Sequence, residues 1–318
     1  MAGRLTQNRL VYLVGLLARR VALLVFLLAL VFAAVELLPG DAARSTLERG
    51  ASADAIAARS AQLGLDEPLP VRFLHWITGL ATGDLGVSAR GEPVSALLGS
   101  HLPNTMLLGG LAFAVTVLTA LALGGLSALR SGRRLDRAIA AVSTIVVAVP
   151  EFVVASVLVL VFALWAGLLP AVTVAAADGR PASATMLVLP VLALALPQIG
   201  WNTRIVRAAL TDELHAPHVE AAVLDGLSPW RVFVHHVLPG ALPTIAAGAA
   251  TSVGMLLGGA VVVETIFNYP GVGTILAGAV LDRDTALVAG VTAVTGATIC
   301  TVLLAADLVR GWATGRPA

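Results

Sequence analysis

The chain has 318 residues, 58% of them hydrophobic and 12% charged, with a formal net charge of +1. A soluble domain carries about 25% charged residues, so the composition argues for a membrane protein, and the near-neutral balance supplies no field to draw it to nucleic acid. The 20 basic residues are all arginine, and the single cysteine, Cys300, excludes an intramolecular disulfide and a thiolate metal site.

Residues 1–20 carry Arg4, Arg9, Arg19 and Arg20, and an unbroken apolar run follows at 21–35, with Tyr12 to Leu17 as a possible extension. A signal peptide starts this way, but Leu37-Leu38-Pro39-Gly40-Asp41 offers no small-x-small cleavage site. The run is therefore read as a retained first span. Residues 41–101 form one long polar segment of mixed charge. Helical spacing recurs inside it at 53–63 and 71–80, the second carrying Phe73, Leu74, Ile77 and Leu80. Further apolar stretches predict span two at 104–129, opening at Pro103, and span three at 138–164. Spans four, five and six follow at 187–207, 242–264 and 286–309. A spanning segment must satisfy its own backbone, so these are helices. A barrel would instead alternate in segments of ~10 residues. The expected fold is an all-α integral membrane protein of six transmembrane helices, a single domain over residues 1–318. Gly254 and Gly258, and the pairs Gly124-Gly125 and Gly258-Gly259, are either sites of close helix contact or merely tolerated in a glycine-rich chain.

With the N-terminus in the cytoplasm, thirteen of the 20 arginines fall on the inner side, most sharply in the short loop Arg130–Arg137. This orientation makes 41–101 extracytoplasmic and 211–239 cytoplasmic, and puts both termini inside. Glu36 and Glu264 lie near the outer ends of their spans, where an interfacial carboxylate is the plain reading. Glu151 follows Pro150 within span three, where an ionisable group costs at least ~2.5 kcal/mol at the bilayer centre. Proline can kink the helix there. Glu151 is thus a candidate for the translocation path, with Glu264 as a second.

The loop between spans four and five reads TDELHAPHVEAAVLDGLSPWRVFVHHVLP over 211–239. Val219, Ala222 and Val223 form an apolar stripe on a short helix, Gly226 breaks it, and Ser228-Pro229 restarts a helix as N-cap and first turn. Phe233, Val234, Val237 and Leu238 give the second helix its apolar side. The expectation is a helix–turn–helix outside the membrane whose stripe docks another protein. His215, His218, His235 and His236 do not make a zinc site, since adjacent His235 and His236 point to different helix faces. No GxxxxGK[ST], GxSxG or HExxH occurs, so no catalytic residues are expected.

Glu220-Ala221-Ala222, three residues, Gly226 and then Leu238-Pro239 resemble the EAA motif of ABC importer membrane subunits. His236 stands where the general pattern has an apolar residue, and a His there is similar to the peptide-importer branch. Leu38-Pro39-Gly40-Asp41, Leu63-Gly64-Leu65-Asp66, Pro68-Leu69 and Gly83–Ser88 are similar to that family's signatures around its first external loop. VVVETIFNYPGVG, 261–273, resembles its segment after span five, where a short helix dips at the external mouth.

The resemblance covers about residues 10–310 and implies a type I permease fold in a bacterial inner membrane. It implies a non-enzymatic membrane subunit of a dipeptide, oligopeptide or nickel-type importer, the member with the long first external loop. Glu220, Ala221, Ala222, Gly226, Leu238 and Pro239 would then couple to ATPase subunits, with Glu220 facing an ATPase arginine. The implied partners are a second permease subunit, two cytoplasmic ATPases that bind ATP and Mg, an external binding protein and the lipid bilayer; this chain would hold no cofactor. Alternatives are another small solute, a secondary transporter with Glu151 as its sole midplane candidate, and an intramembrane enzyme, for which no convergent ligands or nucleophile are visible.

Overall fold

The computed structural model describes the backbone of residues 2–37, 42–45, 47 and 51–314, and the side chains of 15–37, 42, 43, 47 and 51–308. Leu38-Pro39-Gly40-Asp41 lies outside the described residues, as do the side chains of Arg4 and Arg9. Among the described residues every regular element is helical, with only two isolated bridges, Val87 to Pro93 and Ala175 to Pro181.

Helix α1 runs from Ala2 to Glu36, so the extension through Tyr12–Leu17 is part of one helix. The polar segment between the first two spans contains α2 (Ala42–Ser45), α3 (Ala53–Gln62) and α4 (Leu69–Ala81). Ser52 caps α3 by accepting the Ala55 N–H. Phe73 and Trp76 of α4 pack on Phe32 of α1, which fastens the segment to the first span. Helix α5 (Val94–Leu129) begins well before the expected opening, and Pro103 lies inside it.

Span three departs most from the sequence expectation. In place of one helix over 138–164 there are α6 (Arg134–Ala148) and α7 (Glu151–Leu158), the latter continued by a wide π-helical segment, Val159–Trp165, and the two arms meet at 99°. The cause is local. A residue before proline is pushed out of the helical region, and proline has no N–H to give. Val149 and Pro150 are accordingly extended, with ψ of 121° and 145°. Among the described residues five helices are long and apolar enough to cross a membrane, and six if the bent pair is one span.

Helix α8 (Thr185–Leu214) is the central one, packed against α5, α6 and α7. Then come α9 (Pro217–Leu224) and α10 (Pro229–Val232), a π-helical turn at Phe233–Val237, and α11 (Leu238–Ile266). Helix α12 (Val272–Asp282) and α13 (Thr285–Thr314) complete the chain. Of the marked glycines, Gly124 is a true close approach: a β-carbon there would sit 2.9 Å from the Thr203 carbonyl of α8. Gly258 faces open space, and Gly254 leaves ordinary contact to Ile299, so that pair is not a packing motif.

Candidate functional site

The loop after α8 is held by its own sequence. Helix α9 starts with Pro217 at its first position, where a missing N–H costs nothing, and carries Glu220 in its first turn, the favourable end for an acid. It stops at Gly226, whose φ is +77°. Gly226 N–H donates to the Val223 carbonyl and Leu227 N–H to the Ala222 carbonyl, the two bonds of a Schellman ending. That ending needs a left-handed residue, and glycine supplies it without a β-carbon penalty.

Val219 and Ala222 are 3% and 4% exposed and face inward. They pack with Val206 and Leu210 of α8, Val232, and Val237 at the root of α11. The stripe expected to dock a partner is therefore mostly the root that seats α9 on the adjoining ends of α8 and α11. The outward apolar groups are Val223, 58% exposed, Leu224, 87%, and Trp230, 75%, beside exposed Glu220 and Ala221. Sequence periodicity finds the stripe but not which side of it the protein covers.

The restarted helix is also different from expectation. Ser228 occupies the N-cap position, yet its side chain makes no cap bond. From Pro229 the helix runs unbroken into span five as far as Ile266, so it is a direct extension of the span. The π turn lies just before Pro239, where the Leu238 N–H donates to the Phe233 carbonyl. A proline ring clashes with the carbonyl four residues back, and a widened turn relieves the clash. Leu238-Pro239 is thus the joint between loop and span. His218 Nε2 lies 3.3 Å from the His236 carbonyl and 3.7 Å from a Glu213 oxygen, bracing α9 against that joint. His215 and His235 contact only backbone carbonyls of their own turns, and no metal-ligand group occurs among the described residues.

Of the two acids put forward for the path, Glu151 opens α7 directly after the break, half-buried against Gly259 of α11. Glu264 is 0% exposed and lines no surface, contrary to the interfacial reading. It accepts from the Thr105 hydroxyl at 2.7 Å and the Gly273 N–H at 2.6 Å. The Val272 N–H donates to the same Thr105 oxygen, and the Tyr269 hydroxyl donates to the Asn104 carbonyl at 2.8 Å. Tyr269, outside the spans, has its phenol pushed up by burial and then by the Glu264 carboxyl. These contacts tie the start of α12 to α5 and to the end of α11.

Sequence reading missed a second buried polar group. Asp136 is 2% exposed and takes a bidentate bond from Arg207, 2.6 Å from Nε and 2.9 Å from Nη2. It also accepts from Ser127 and the Gly132 N–H, which locks the α5–α6 turn to α8. The available signal was a lone acid among Arg130, Arg133, Arg134 and Arg137.

The sequence matches, over residues 120–316, the family described as "Binding-protein-dependent transport system inner membrane component". Residues 10–108 match the corresponding N-terminal family. A probable peptide ABC transporter permease of Sinorhizobium fredii is 33% identical over 276 residues, 86% of this chain and 88% of that protein. The oligopeptide transport system permease protein OppB of Haemophilus influenzae is 32% identical over 276 residues, with the same coverage, 86% and 88%. Among solved structures, the inward-facing MetNI methionine ABC transporter gives a TM-score of 0.54 at 20% identity, over 70% of this chain and 98% of that one. The fold is that of a type I ABC importer permease. With its apolar helices and two family matches, the chain is a multi-pass inner membrane protein and belongs to the binding-protein-dependent transport system inner membrane component family.

Proposed function

We propose that this chain forms half of the translocation path of an ATP-driven peptide importer and couples that path to cytoplasmic ATPase subunits through α9. Support for peptide as the solute comes from the names of the relatives. The observation that carries the coupling is the division of α9: two residues rooted in the spans, two apolar residues and Glu220 presented outward. ATP and Mg bind to the ATPases, which close on nucleotide and draw α9 inward. Val219 and Ala222 pass that motion to the inner ends of α8 and α11. A second permease subunit supplies the other half of the path, and an external binding protein delivers the solute. Both termini are cytoplasmic, a placement that the arginine distribution supports. Glu151, freed from the helix ladder by the break at Pro150, faces the path. A secondary carrier built on inverted repeats would pair its interrupted helices, and one strongly bent pair occurs among the described residues.

Co-expression with P-loop ATPases and a second permease from the same gene neighbourhood tests this reading. The complex should co-purify, and peptide-loaded binding protein should stimulate its ATP hydrolysis in vesicles. Transport without any ATPase would refute it. Orientation is tested in a Cys300→Ser background. Ser52→Cys should react with an impermeant thiol reagent outside intact cells, and Ser131→Cys only after the membrane is opened; the opposite pattern would reverse the topology.

A further inference from the structure

A groove of about 470 Å³ lies between α1 and α13, away from both α9 and the external mouth. Leu23, Leu24, Leu27 and Ile299 line its apolar part, Arg19 and Arg20 follow on the next turn of α1, and Leu16 and Leu303 lie at the level of the arginines or beyond. The two arginines differ. Arg20 is spent within the fold: it donates to Asp307 at 2.5 Å and to the Cys300 carbonyl at 3.2 Å. Arg19 is exposed and has no ion pair among the described residues. The groove therefore offers one uncompensated cation above an apolar slot.

Its depth in the bilayer follows from the helix. Residues 21–36 rise ~24 Å at ~1.5 Å each, a little short of a hydrocarbon core of ~30 Å. With Glu36 at one interface, Arg19 snorkels to headgroup level at the other. The slot below it is at acyl-chain depth. The surrounding face of α1 is open: Leu17, Val21, Leu23, Phe26 and Leu30 are all exposed. The floor is fixed, because Leu24 is packed against the Gly296 backbone, where a β-carbon would collide with it.

We propose that this groove binds one anionic phospholipid, its acyl chain along Leu23, Leu27 and Ile299 and its phosphate on the Arg19 guanidinium. Charge complementarity selects this occupant. A zwitterionic lipid offsets its phosphate with its own ammonium and so neutralises Arg19 less well, and a purely apolar partner helix would bury the charge. The leaflet follows from the orientation proposed above; the groove itself does not depend on it.

The test is native mass spectrometry of the full chain in detergent, titrated separately with phosphatidylglycerol, phosphatidylcholine and inorganic phosphate. Phosphatidylglycerol should be retained about fivefold better than phosphatidylcholine, the effect of one basic side chain facing an anionic headgroup. Phosphate alone should leave no adduct. Arg19→Gln should abolish the preference for phosphatidylglycerol, and Leu27→Trp, which fills the slot, should reduce retention of both lipids. Arg134→Gln, at an exposed arginine outside the groove, should change neither. Equal retention of the two lipids by the wild type, or a preference that survives Arg19→Gln, overturns the proposal. So does lipid retention that vanishes once the other subunits co-purify, since a protein would then cover the groove. The readouts on the chain alone use no ATP, transport or partner subunit, so those outcomes stand apart from the fate of the functional reading.

Discussion

The two ends of the molecule treat their polar and apolar groups in opposite ways. At the end that the proposed orientation makes outer, Glu264, Thr105, Asn104 and Tyr269 satisfy one another and the backbone of the turn before α12, all of them buried. At the end it makes inner, α9 uses two residues to root itself and leaves Val223 and Leu224 in the open, beside exposed Trp230 of α10. The outer cluster is complete within one chain and reads as fixed structure. The inner surface is incomplete, and exposed apolar groups of that size on a short, well-capped helix call for a partner. Motif-bearing sequence marks both ends equally; only the side-chain environment tells them apart.

The sharpest way to break the comparison is at Glu264. Glu264→Leu removes the acceptor for the Thr105 hydroxyl and the Gly273 N–H. Each buried donor so stranded costs about 1–3 kcal/mol. The expected result is a large fall in the thermal unfolding midpoint in detergent and poor recovery from membranes. Glu264→Gln keeps one acceptor and should fall between the two. If Glu264→Leu is as stable as the wild type and only transport is altered, Glu264 belongs to the path after all.

Gly226→Val should give the converse result, a stable protein that does not couple. At φ +77° a β-branched residue is strained, a cost of about 1–3 kcal/mol. Nothing lies within 4 Å of the added β-carbon, so no clash compounds it. The strain is relieved by unwinding the Schellman ending, which moves Leu224 and Trp230 apart. Insertion should survive while ATPase co-purification falls at least tenfold, which ~1.4 kcal/mol of docking energy suffices to produce. Normal binding and transport by this variant would remove α9 from the coupling role.

What the sequence discloses follows from the range of each interaction. Span positions are legible because twenty apolar residues are a local property. The α9 ending is legible too, because Gly226 and Ser228-Pro229 act within one turn. The break at Val149–Pro150 was half visible: proline predicts a kink, but the 99° angle depends on how α7 packs against α8 and α11. The Asp136–Arg207 lock joins residues 71 apart in sequence, and no periodicity carries that information. Glu264 was misread because hydropathy gives depth along a span and not the side of the helix.

Leu224→Asp sharpens the comparison without touching the fold. The side chain is 87% exposed, so stability should change by less than about 0.5 kcal/mol. Desolvating a carboxylate in an apolar contact should weaken ATPase co-purification more than Glu220→Arg does, since an exposed ion pair is worth about 1 kcal/mol or less. Equal effects of the two would point to electrostatics, not packing, as the basis of docking.

The smallest effect is expected at Asp284, a second closed cluster on the outer side. Asp284 is buried and caps α13 by accepting the Leu287 N–H at 2.9 Å. It also accepts the Ala89 N–H at 2.6 Å, which straps the external segment to the helix. Burial pushes its carboxyl above the ordinary value of 3.8, and Asp282 pushes the same way, while the two N–H bonds and Arg90 oppose. A raised value means that the folded state holds the proton more tightly than the unfolded chain does. Stability from this group is therefore greatest in acid and declines as pH rises from 3.8 through the raised value, after which it levels off. Asp284→Asn does not titrate and keeps one acceptor for the two N–H donors, so it should cost about 1 kcal/mol, one hydrogen bond, and flatten that part of the curve. Thermal unfolding midpoints of both proteins across the acid range decide the matter. Parallel curves would mean that the carboxyl is not desolvated by the strap, and that the outer side is less closed than Glu264 suggests.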